Sequence, residues 1–190
     1  MVPLTALVLP LLVSAVIVFV ASFVIHMVLG YHKNDMRKLP DRQEEEVLDA
    51  IRRLKLVFGD YGMPHPGSPD RMKDPAFVAR MKAGPVVLMT VAPGAAPSMG
   101  KPLAQWFVMI VVVNLFAAYI ASRALAPGTE YLEVFRLVGT TAFMGYALGT
   151  LPESIWYHRS WVRTVKNVFD GLVYALLSAG VFGWLWPSNI

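Results

Sequence analysis

Four long apolar runs separate the polar parts of this chain and decide which solvent it occupies. Residues 4–29 carry one ionisable side chain, His26, and residues 103–122, 137–151 and 172–186 carry none. A helix of about 20 apolar residues crosses the hydrocarbon of a bilayer. With 56% hydrophobic residues and a mean hydropathy of +0.51, the chain is too apolar for an ordinary soluble domain. We therefore expect an all-α membrane protein with four transmembrane helices and an insertion between the first and the second.

Charged residues bound each apolar run and so set the predicted ends of the helices. The third run is the shortest, and it spans only if Glu133 and Arg136 lie at the headgroup level. The fourth is long enough if it starts near Val168 and tolerates Asp170 at its boundary. The predicted segments are transmembrane helix 1 at 1–30, an insertion at 31–102 with an amphipathic helix at about 41–58, transmembrane helix 2 at 103–124, transmembrane helix 3 at 132–151, an interfacial turn at 152–167 and transmembrane helix 4 at 168–187.

The distribution of basic residues predicts the side of the membrane that each polar segment occupies. Residues 31–102 hold twelve Lys and Arg and residues 152–167 add three, whereas only Arg123 and Arg136 lie on the opposite face. Segments that stay in the cytoplasm carry an excess of Lys and Arg. We therefore expect both polar segments to be cytoplasmic and both termini to lie outside. The first span lacks the basic start and the cleavage site of a signal peptide, so we expect an uncleaved anchor.

The insertion begins with a clear amphipathic helix pattern. Asp41 is a candidate N-cap, and Gly59 is a candidate left-handed residue at the C-terminal end. One face carries an apolar stripe, formed by Val47, Ile51, Leu54 and Phe58. Such a helix lies on a membrane, on a partner or on its own insertion, and the pattern does not choose among them.

The rest of the insertion has little apolar sequence. Residues 60–75 are rich in Pro and Gly, which predicts a loop, and a short helix follows up to Gly84. The apolar run 86–91 is too short to span, so it predicts a strand or an extended piece. A segment of this size with so few apolar residues is marginal alone. We expect this segment to pack against the membrane surface or against another subunit.

Small and polar residues within the spans predict close helix packing. Small residues four apart let helices approach closely in lipid, and an amide such as that of Asn114 adds hydrogen bonds. The pattern fits packing within one bundle and packing against another subunit. The predicted packing residues are Asn114, Ala117, Ala121, Gly145, Gly149, Ala175, Ala179 and Gly183.

Tryptophans mark the ends of the predicted spans. Trp and Tyr concentrate at membrane–water interfaces because one part of the ring system is apolar and the other is polar. The segment 154–161, SIWYHRSW, is therefore interpreted as an anchor and turn. The predicted interface anchors are Trp106, Trp156 and Trp161 on one surface, and Trp184 and Trp186 on the other.

Few residues point to chemistry. The chain has no cysteine and no nucleophile, phosphate-loop or zinc-protease motif. Asp170 is interpreted as the partner of Lys166 in an i,i+4 helix pair. All four histidines are predicted near the cytoplasmic face, and His26 and His158 are the candidate ligands of a haem or metal. Their spacing matches no known ligand pattern, so we expect no catalytic residue, no metal and no cofactor.

Three stretches resemble a known group of proteins: PSMGKPLAQWF, YIASRALAPGTEYLEVFR and VFDGLVYALLSAGVFGWLWP. They are similar to segments of small, uncharacterised multi-pass proteins of the bacterial inner membrane, and the likeness covers most of the chain. The resemblance implies a bacterial inner-membrane location, and on the charge distribution described above both termini would then be periplasmic. It implies no activity, no cofactor and no site residue.

The leading functional hypothesis is a non-catalytic accessory subunit of a larger membrane complex. Its partners would be membrane lipids and other integral subunits, with no nucleic acid, and respiratory or photosynthetic energy-transducing assemblies are natural hosts. The alternative is a small haem- or metal-binding redox protein that uses the cytoplasmic histidines.

Overall fold

A computed structural model describes residues 1–94, 96 and 98–188 of the chain. Ala95 and Pro97, which fall inside the predicted insertion, lie outside the described residues. The chain divides into two compact units, one formed by Met1–Met36 and Ser98–Ile190 and the other by Arg37–Pro97. The first unit holds four helical segments that are long and apolar enough to cross a membrane, as the apolar runs predicted.

Each of the four segments is longer than a bilayer requires. They cover 24 to 27 residues, and at about 1.5 Å per residue even the shortest exceeds the thickness of the hydrocarbon. The first segment, Leu4–Val28, consists of a 3₁₀ turn, helix α1 (Val8–Phe23) and a π-helical turn (Val24–Val28). The second segment is α4 (Gly100–Ala124) and the fourth is α7 (Trp161–Trp184). The third consists of α5 (Tyr131–Tyr146), a 3₁₀ turn and α6 (Leu151–Tyr157).

The four segments form a closed bundle in which each helix has two main neighbours. Helix α1 packs on α4 and α7, and α5 also packs on α4 and α7, with the most extensive contact between α5 and α7. Alanines with no exposed surface line these contacts, among them Ala15 on α1, Ala117 on α4, Ala142 on α5 and Ala179 on α7. Small side chains let the helix backbones approach closely.

The third and fourth spans reach further along the chain than their apolar runs. The third segment continues to Tyr157, where the sequence predicted an end at residue 151. The fourth begins at Trp161 rather than at residue 168, so residues 152–167 are mostly helical and the turn is confined to residues 158–160. The cause is that hydropathy marks where apolar sequence stops, whereas a helix continues until its backbone hydrogen bonds are interrupted.

The second unit is a small α/β insertion. It contains α2 (Asp41–Leu54), β1 (Gly59–Met63), α3 (Pro75–Ala83) and β2 (Val87–Val91), with 3₁₀ turn Pro69–Lys73 between β1 and α3. The two strands pair antiparallel in a register that places Gly59 opposite Val91 and Met63 opposite Val87. None of the described residues of this unit is buried.

Three sequence interpretations of the insertion are corrected. Helix α2 ends at Leu54, not near residue 58, because Lys55 adopts the left-handed conformation (φ 49°) that had been expected at Gly59. Asp41 is the first helical residue and Pro40 is the N-cap. Residues 59–63 form a strand at a place where the sequence predicted a loop, because their pairing with β2 is a contact across the chain that local composition does not record.

Candidate metal centre at one end of the bundle

The structure brings together two of the four histidines, and only one of them is a residue singled out from the sequence. His26 and His32 meet Asp170 of α7, and one ligand-type atom from each of the three residues lies within 4.8 Å of the others. His158 is not a member of this group and occupies the left-handed position after α6 (φ 53°). His65 belongs to the other unit, where its Nδ1 accepts a hydrogen bond from the Gly67 backbone N–H at 2.9 Å. The group His26, His32 and Asp170 is called the His–His–Asp cluster below.

His26 is positioned by the π-helical turn that ends the first span. Its Nδ1 lies 2.9 Å from the backbone carbonyl oxygen of Ser22. A carbonyl oxygen only accepts, so Nδ1 carries the proton and Nε2 keeps a free lone pair. A backbone carbonyl on the far nitrogen is a common way to orient a metal-ligating histidine, and π-helical turns often occur at functional sites.

His32 lies on the short loop that follows the first span. Its Nδ1 donates to Asp35 Oδ2 at 2.6 Å, and its Nε2 lies 2.8 Å from Asp170 Oδ2. The imidazole rings of His32 and His26 are stacked, with centroids 4.5 Å apart and planes 7° from parallel. Both rings are therefore held on their Nδ1 side, and His32 presents Nε2 to the carboxylate of Asp170.

Asp170 is the buried member of the cluster. Its side chain is 4% exposed, and its Oδ1 accepts a hydrogen bond from the Tyr31 hydroxyl. The sequence interpretation placed this residue at a span boundary beside Lys166, and that interpretation is corrected. Because α7 begins at Trp161, Asp170 lies in the third turn of the helix and faces the bundle, where it contacts the loop that carries His32.

Lys166 instead binds the loop after the first span. Its Nζ donates to Asp35 Oδ1 at 2.6 Å and to the backbone carbonyl of Tyr31 at 2.7 Å. Burial alone would raise the pKa of Asp35, but hydrogen bonds from Lys166 and His32 outweigh it and the pKa is lowered. Asp35 is thus an ionised acceptor that fixes the orientation of the His32 ring.

The donor set of the cluster fits a single metal ion. Two imidazole nitrogens and one carboxylate oxygen are ligands that zinc and non-haem iron(II) accept, with further positions left for water or substrate. Each ligand has an outer partner, which is Ser22 for His26, Asp35 for His32 and Tyr31 for Asp170. With their rings stacked 4.5 Å apart, His26 and His32 cannot lie on opposite faces of one haem, so this pair does not fit a bis-histidine haem.

An apolar cavity adjoins the cluster inside the bundle. It has a volume of about 430 Å³, and its lining includes His26 and Asp170 at one end and Trp106 and Tyr174 in its wall. The indole N–H of Trp106 donates to Ser22 Oγ at 2.9 Å, so this tryptophan ties α4 to α1. The cavity gives the cluster a protected space on the bundle side.

The predicted packing residues lie mostly between helices of the bundle. Asn114, Ala117, Ala121, Ala175 and Ala179 have at most 1% exposure. A Cβ at Gly145 would meet Val113 at 2.9 Å and one at Gly183 would meet the Tyr131 ring at 2.7 Å, whereas Gly149 has open space around it.

The predicted tryptophan anchors have two environments. Trp156, Trp161 and Trp184 are exposed. Trp186 is buried, and its indole N–H donates to the Ala126 carbonyl at 2.9 Å. Trp186 and Trp106 therefore also hold elements of this unit together.

Sequence reasoning found His26 but missed its partners. The signal for Asp170 is its place in the stretch VFDGLVYALL: a carboxylate at the start of an apolar run needs a partner unless it reaches the headgroups. His32 was recognised as near the same face, but nothing local links it to Asp170, which lies 138 residues away.

Comparison with known proteins finds no relative of this chain. No family model, no curated protein and no solved structure matches it. What the structure defines is therefore a class: a mostly helical protein with four helices that are long and apolar enough to span a membrane.

Proposed function

We propose that this chain is an integral membrane protein that binds a divalent transition-metal ion through His26, His32 and Asp170. The observation that carries the proposal is the convergence of three ligand-type side chains within 4.8 Å, with both histidines held at Nδ1 by hydrogen bonds. Metal-ligating histidines nearly always have such an outer partner, because it fixes the tautomer and the ring orientation.

Charge supports an ion at this position. A divalent cation would be neutralised in part by Asp170, while Asp35 is already paired with Lys166. The ion would then hold together the end of the first span, the following loop and α7, which supply the three ligands. Three protein ligands leave coordination positions open, as in metal sites that bind a small molecule.

The location proposed for this function is the bacterial inner membrane, with the cluster at the cytoplasmic face. The excess of Lys and Arg in residues 31–102 and 152–167 supports a cytoplasmic insertion and periplasmic termini. Two members of the His–His–Asp cluster lie at the end of the first span and in the loop that directly follows it, so this orientation places the cluster on the cytoplasmic side.

Metal content of the purified full-length protein tests the proposal. The protein is extracted in mild detergent, stripped with EDTA, and reloaded with Zn²⁺ or Co²⁺. We expect one ion per chain by elemental analysis, together with cobalt d–d bands of a site with nitrogen and oxygen ligands. His26→Ala, His32→Ala and Asp170→Asn should each abolish stoichiometric binding.

His65→Ala and His158→Ala are the matched controls, since they remove imidazoles that lie outside the cluster. Both should retain one ion per chain. Sub-stoichiometric metal in the wild type, or equal loss in the cluster and control variants, would refute the assigned site.

A second candidate function is the accessory subunit of a larger membrane complex. The observation that favours it is that the described residues of the insertion include no buried one, and that Val47, Leu54 and Phe58 are between 46% and 68% exposed. A unit without a core of its own gains stability from a surface that covers it. Residues 37–97 are the part of the chain that would contact the complex.

Native sizing with crosslinking tests the accessory role. We expect the wild type to elute from mild detergent with further integral subunits, and Leu54→Asp with Phe58→Asp to release them. Lys55→Asp, a charge change between the two, is the control. A wild-type protein that elutes as a stable monomer and gives no crosslinks would contradict the accessory role and leave the metal proposal untouched.

A further inference from the structure

The segment that ends α2 and leads into β1 exposes large apolar side chains. This segment, residues 52–58, is called the α2 tip below. Leu54, Val57 and Phe58 are between 63% and 76% exposed. Single exposed apolar side chains are common, but a group of them in one short segment marks a surface that binds something.

Two features fix the conformation of the α2 tip. Lys55 adopts the left-handed conformation (φ 49°), so the chain leaves the helix directly after Leu54. The Tyr61 hydroxyl donates a hydrogen bond to the Val57 carbonyl oxygen at 2.7 Å, which ties the tip to β1. Val57 and Phe58 therefore lie in a defined turn and are not packed along the helix.

Charge separates the two ends of α2. All five acidic residues of the helix precede residue 50, and the next one along the chain is Asp60. Arg52 pairs with Asp49 at 2.6 Å. Arg53 and Lys55 are exposed, and neither forms a salt bridge with a residue that the structure describes. The α2 tip therefore combines exposed apolar side chains with basic side chains that are free to bind an anion.

In the proposed membrane location, chain connectivity keeps the insertion near the bilayer. The first spanning segment ends at Val28, and α2 begins at Asp41. Strand β2 ends at Val91, and α4 begins at Gly100. An extended chain covers about 3.6 Å per residue, so these connectors hold the insertion within a few nanometres of the membrane surface. Short linkers of this kind give a high effective concentration of the surface to which they tether a unit.

We infer that the α2 tip docks on the headgroup surface of an anionic bilayer, with Arg53 and Lys55 at the lipid phosphates and the exposed apolar side chains in the interface. Basic residues close to membrane-spanning helices are attracted to anionic lipid, and apolar side chains enter the boundary between headgroups and acyl chains. The acidic end of α2 would face away from the lipid. The inference rests on the proposed membrane location but not on the metal site, whose ligands belong to the other unit.

The test places a single fluorescent label on the tip of the full-length protein in lipid nanodiscs. The chain has no cysteine, so Val57→Cys carries the only nitrobenzoxadiazole label. The nanodiscs contain phosphatidylcholine alone or an equal mixture with phosphatidylglycerol, and lipids with a nitroxide near the headgroup serve as quenchers. We expect blue-shifted emission and quenching by these lipids in the mixture, with reversal at high salt, which screens exposed charges.

Gln43→Cys is the labelling control, because Gln43 is an exposed, uncharged residue at the acidic end of α2. Its label should stay in water in both bilayers. EDTA is present throughout, so bound metal does not contribute to either result.

Arg53→Gln with Lys55→Gln, made in the Val57→Cys protein, removes the two free charges of the tip. Each Lys or Arg near an anionic surface strengthens binding by about fivefold, so the ratio of docked to undocked label should fall by about 30-fold. Arg71→Gln with Lys73→Gln is the matched control. It removes the same charge from an exposed 3₁₀ turn of the insertion and should dock as the unsubstituted tip does.

Four outcomes would overturn the inference: a label at residue 57 that stays in water in both bilayers, equal quenching in the two bilayers, equal changes at residues 57 and 43, or equal losses in the two charge variants. The first would leave the tip to a protein partner, as in the accessory role, because the nanodiscs hold no other protein. The comparison of the two bilayers needs no charge variant, so it decides the question even if those variants do not fold. A chain that does not enter nanodiscs would contradict the membrane location and this inference together.

Discussion

Ionisable residues near the end of the bundle are arranged as a connected set. Lys166 binds Asp35, Asp35 binds His32, His32 faces Asp170, and Asp170 accepts from Tyr31. An ionisable group within a membrane-spanning helix is costly unless a partner neutralises it or binds it by hydrogen bonds. In this set, His32 corresponds to a metal ligand and Asp35 to the outer partner that orients it, and Lys166 in turn binds Asp35.

Asp35→Asn should weaken metal binding without removing a ligand. The amide is a weaker acceptor than the carboxylate, so His32 loses part of its orientation and basicity, and the expected loss of affinity is about 10- to 100-fold. The measurement is a Zn²⁺ competition titration against a chromophoric chelator.

Asp49→Asn provides the comparison for this substitution. Asp49 is an exposed carboxylate of α2 that pairs with Arg52, so its loss should leave the affinity unchanged. If Asp35→Asn bound Zn²⁺ as tightly as Asp49→Asn does, Asp35 would not be an outer partner of the site.

Among the helix pairs, α5 and α7 show how small residues set the distance between elements. Gly139 lies where a Cβ would meet the Ala179 side chain at 3.1 Å, and Gly183 lies against the ring and backbone of Tyr131. Both positions bring the helices together at the contact that is most extensive in the bundle. Since α7 carries Asp170, this packing also sets the position of one metal ligand.

Gly183→Ala should destabilise the bundle, whereas Gly149→Ala should not. The Cβ at residue 183 would lie 2.7 Å from the Tyr131 ring and 3.2 Å from its carbonyl oxygen, and overpacking of this kind lowers the free energy of unfolding by about 1–3 kcal/mol. A Cβ at Gly149 meets no atom within 4 Å. Unfolding of both variants in detergent, monitored by circular dichroism, measures the difference in their free energies of unfolding.

The comparison of Gly183 with Gly149 separates the effect of a steric contact at the new Cβ from the effect of backbone conformation. Neither residue has a positive φ, so alanine is compatible with both backbones. Equal stability of the two variants would mean that the close approach of α7 to Tyr131 does not exist in the folded protein.

At the scale of the whole molecule, the proposed membrane topology can be measured directly. The chain has no cysteine, so each introduced cysteine is the only thiol. Glu130 lies in the connection between α4 and α5, and Asp49 lies in the insertion; both are exposed. The proposed orientation places these two positions on opposite sides of the membrane.

Glu130→Cys should react with a membrane-impermeant maleimide in cells whose outer membrane has been permeabilised, and Asp49→Cys should react only after lysis. The physical reason is the concentration of Lys and Arg in the segments that contain or adjoin the insertion. The reverse labelling pattern would invert the proposed topology and place the His–His–Asp cluster on the periplasmic side. Denatured protein, in which both cysteines react, is the labelling control.

The sequence by itself determined the four helices that are long and apolar enough to span a membrane, because a run of apolar residues of sufficient length is a local property. The helix predicted at about 41–58 is likewise a local pattern, as is the apolar run 86–91, for which the sequence predicted a strand or an extended piece. Only the tertiary structure decided that His26, His32 and Asp170 meet and that Lys166 donates a hydrogen bond to Asp35. It also decided that residues 59–63 form a strand paired with β2. The physical reason is that hydropathy records how much of a helix is apolar, whereas contacts depend on how each helix is rotated about its axis and on which neighbour it packs against. Asp170 shows the difference. The sequence pattern predicted that it lies at the boundary of the fourth helix, whereas the packing of α7 directs its side chain into the bundle.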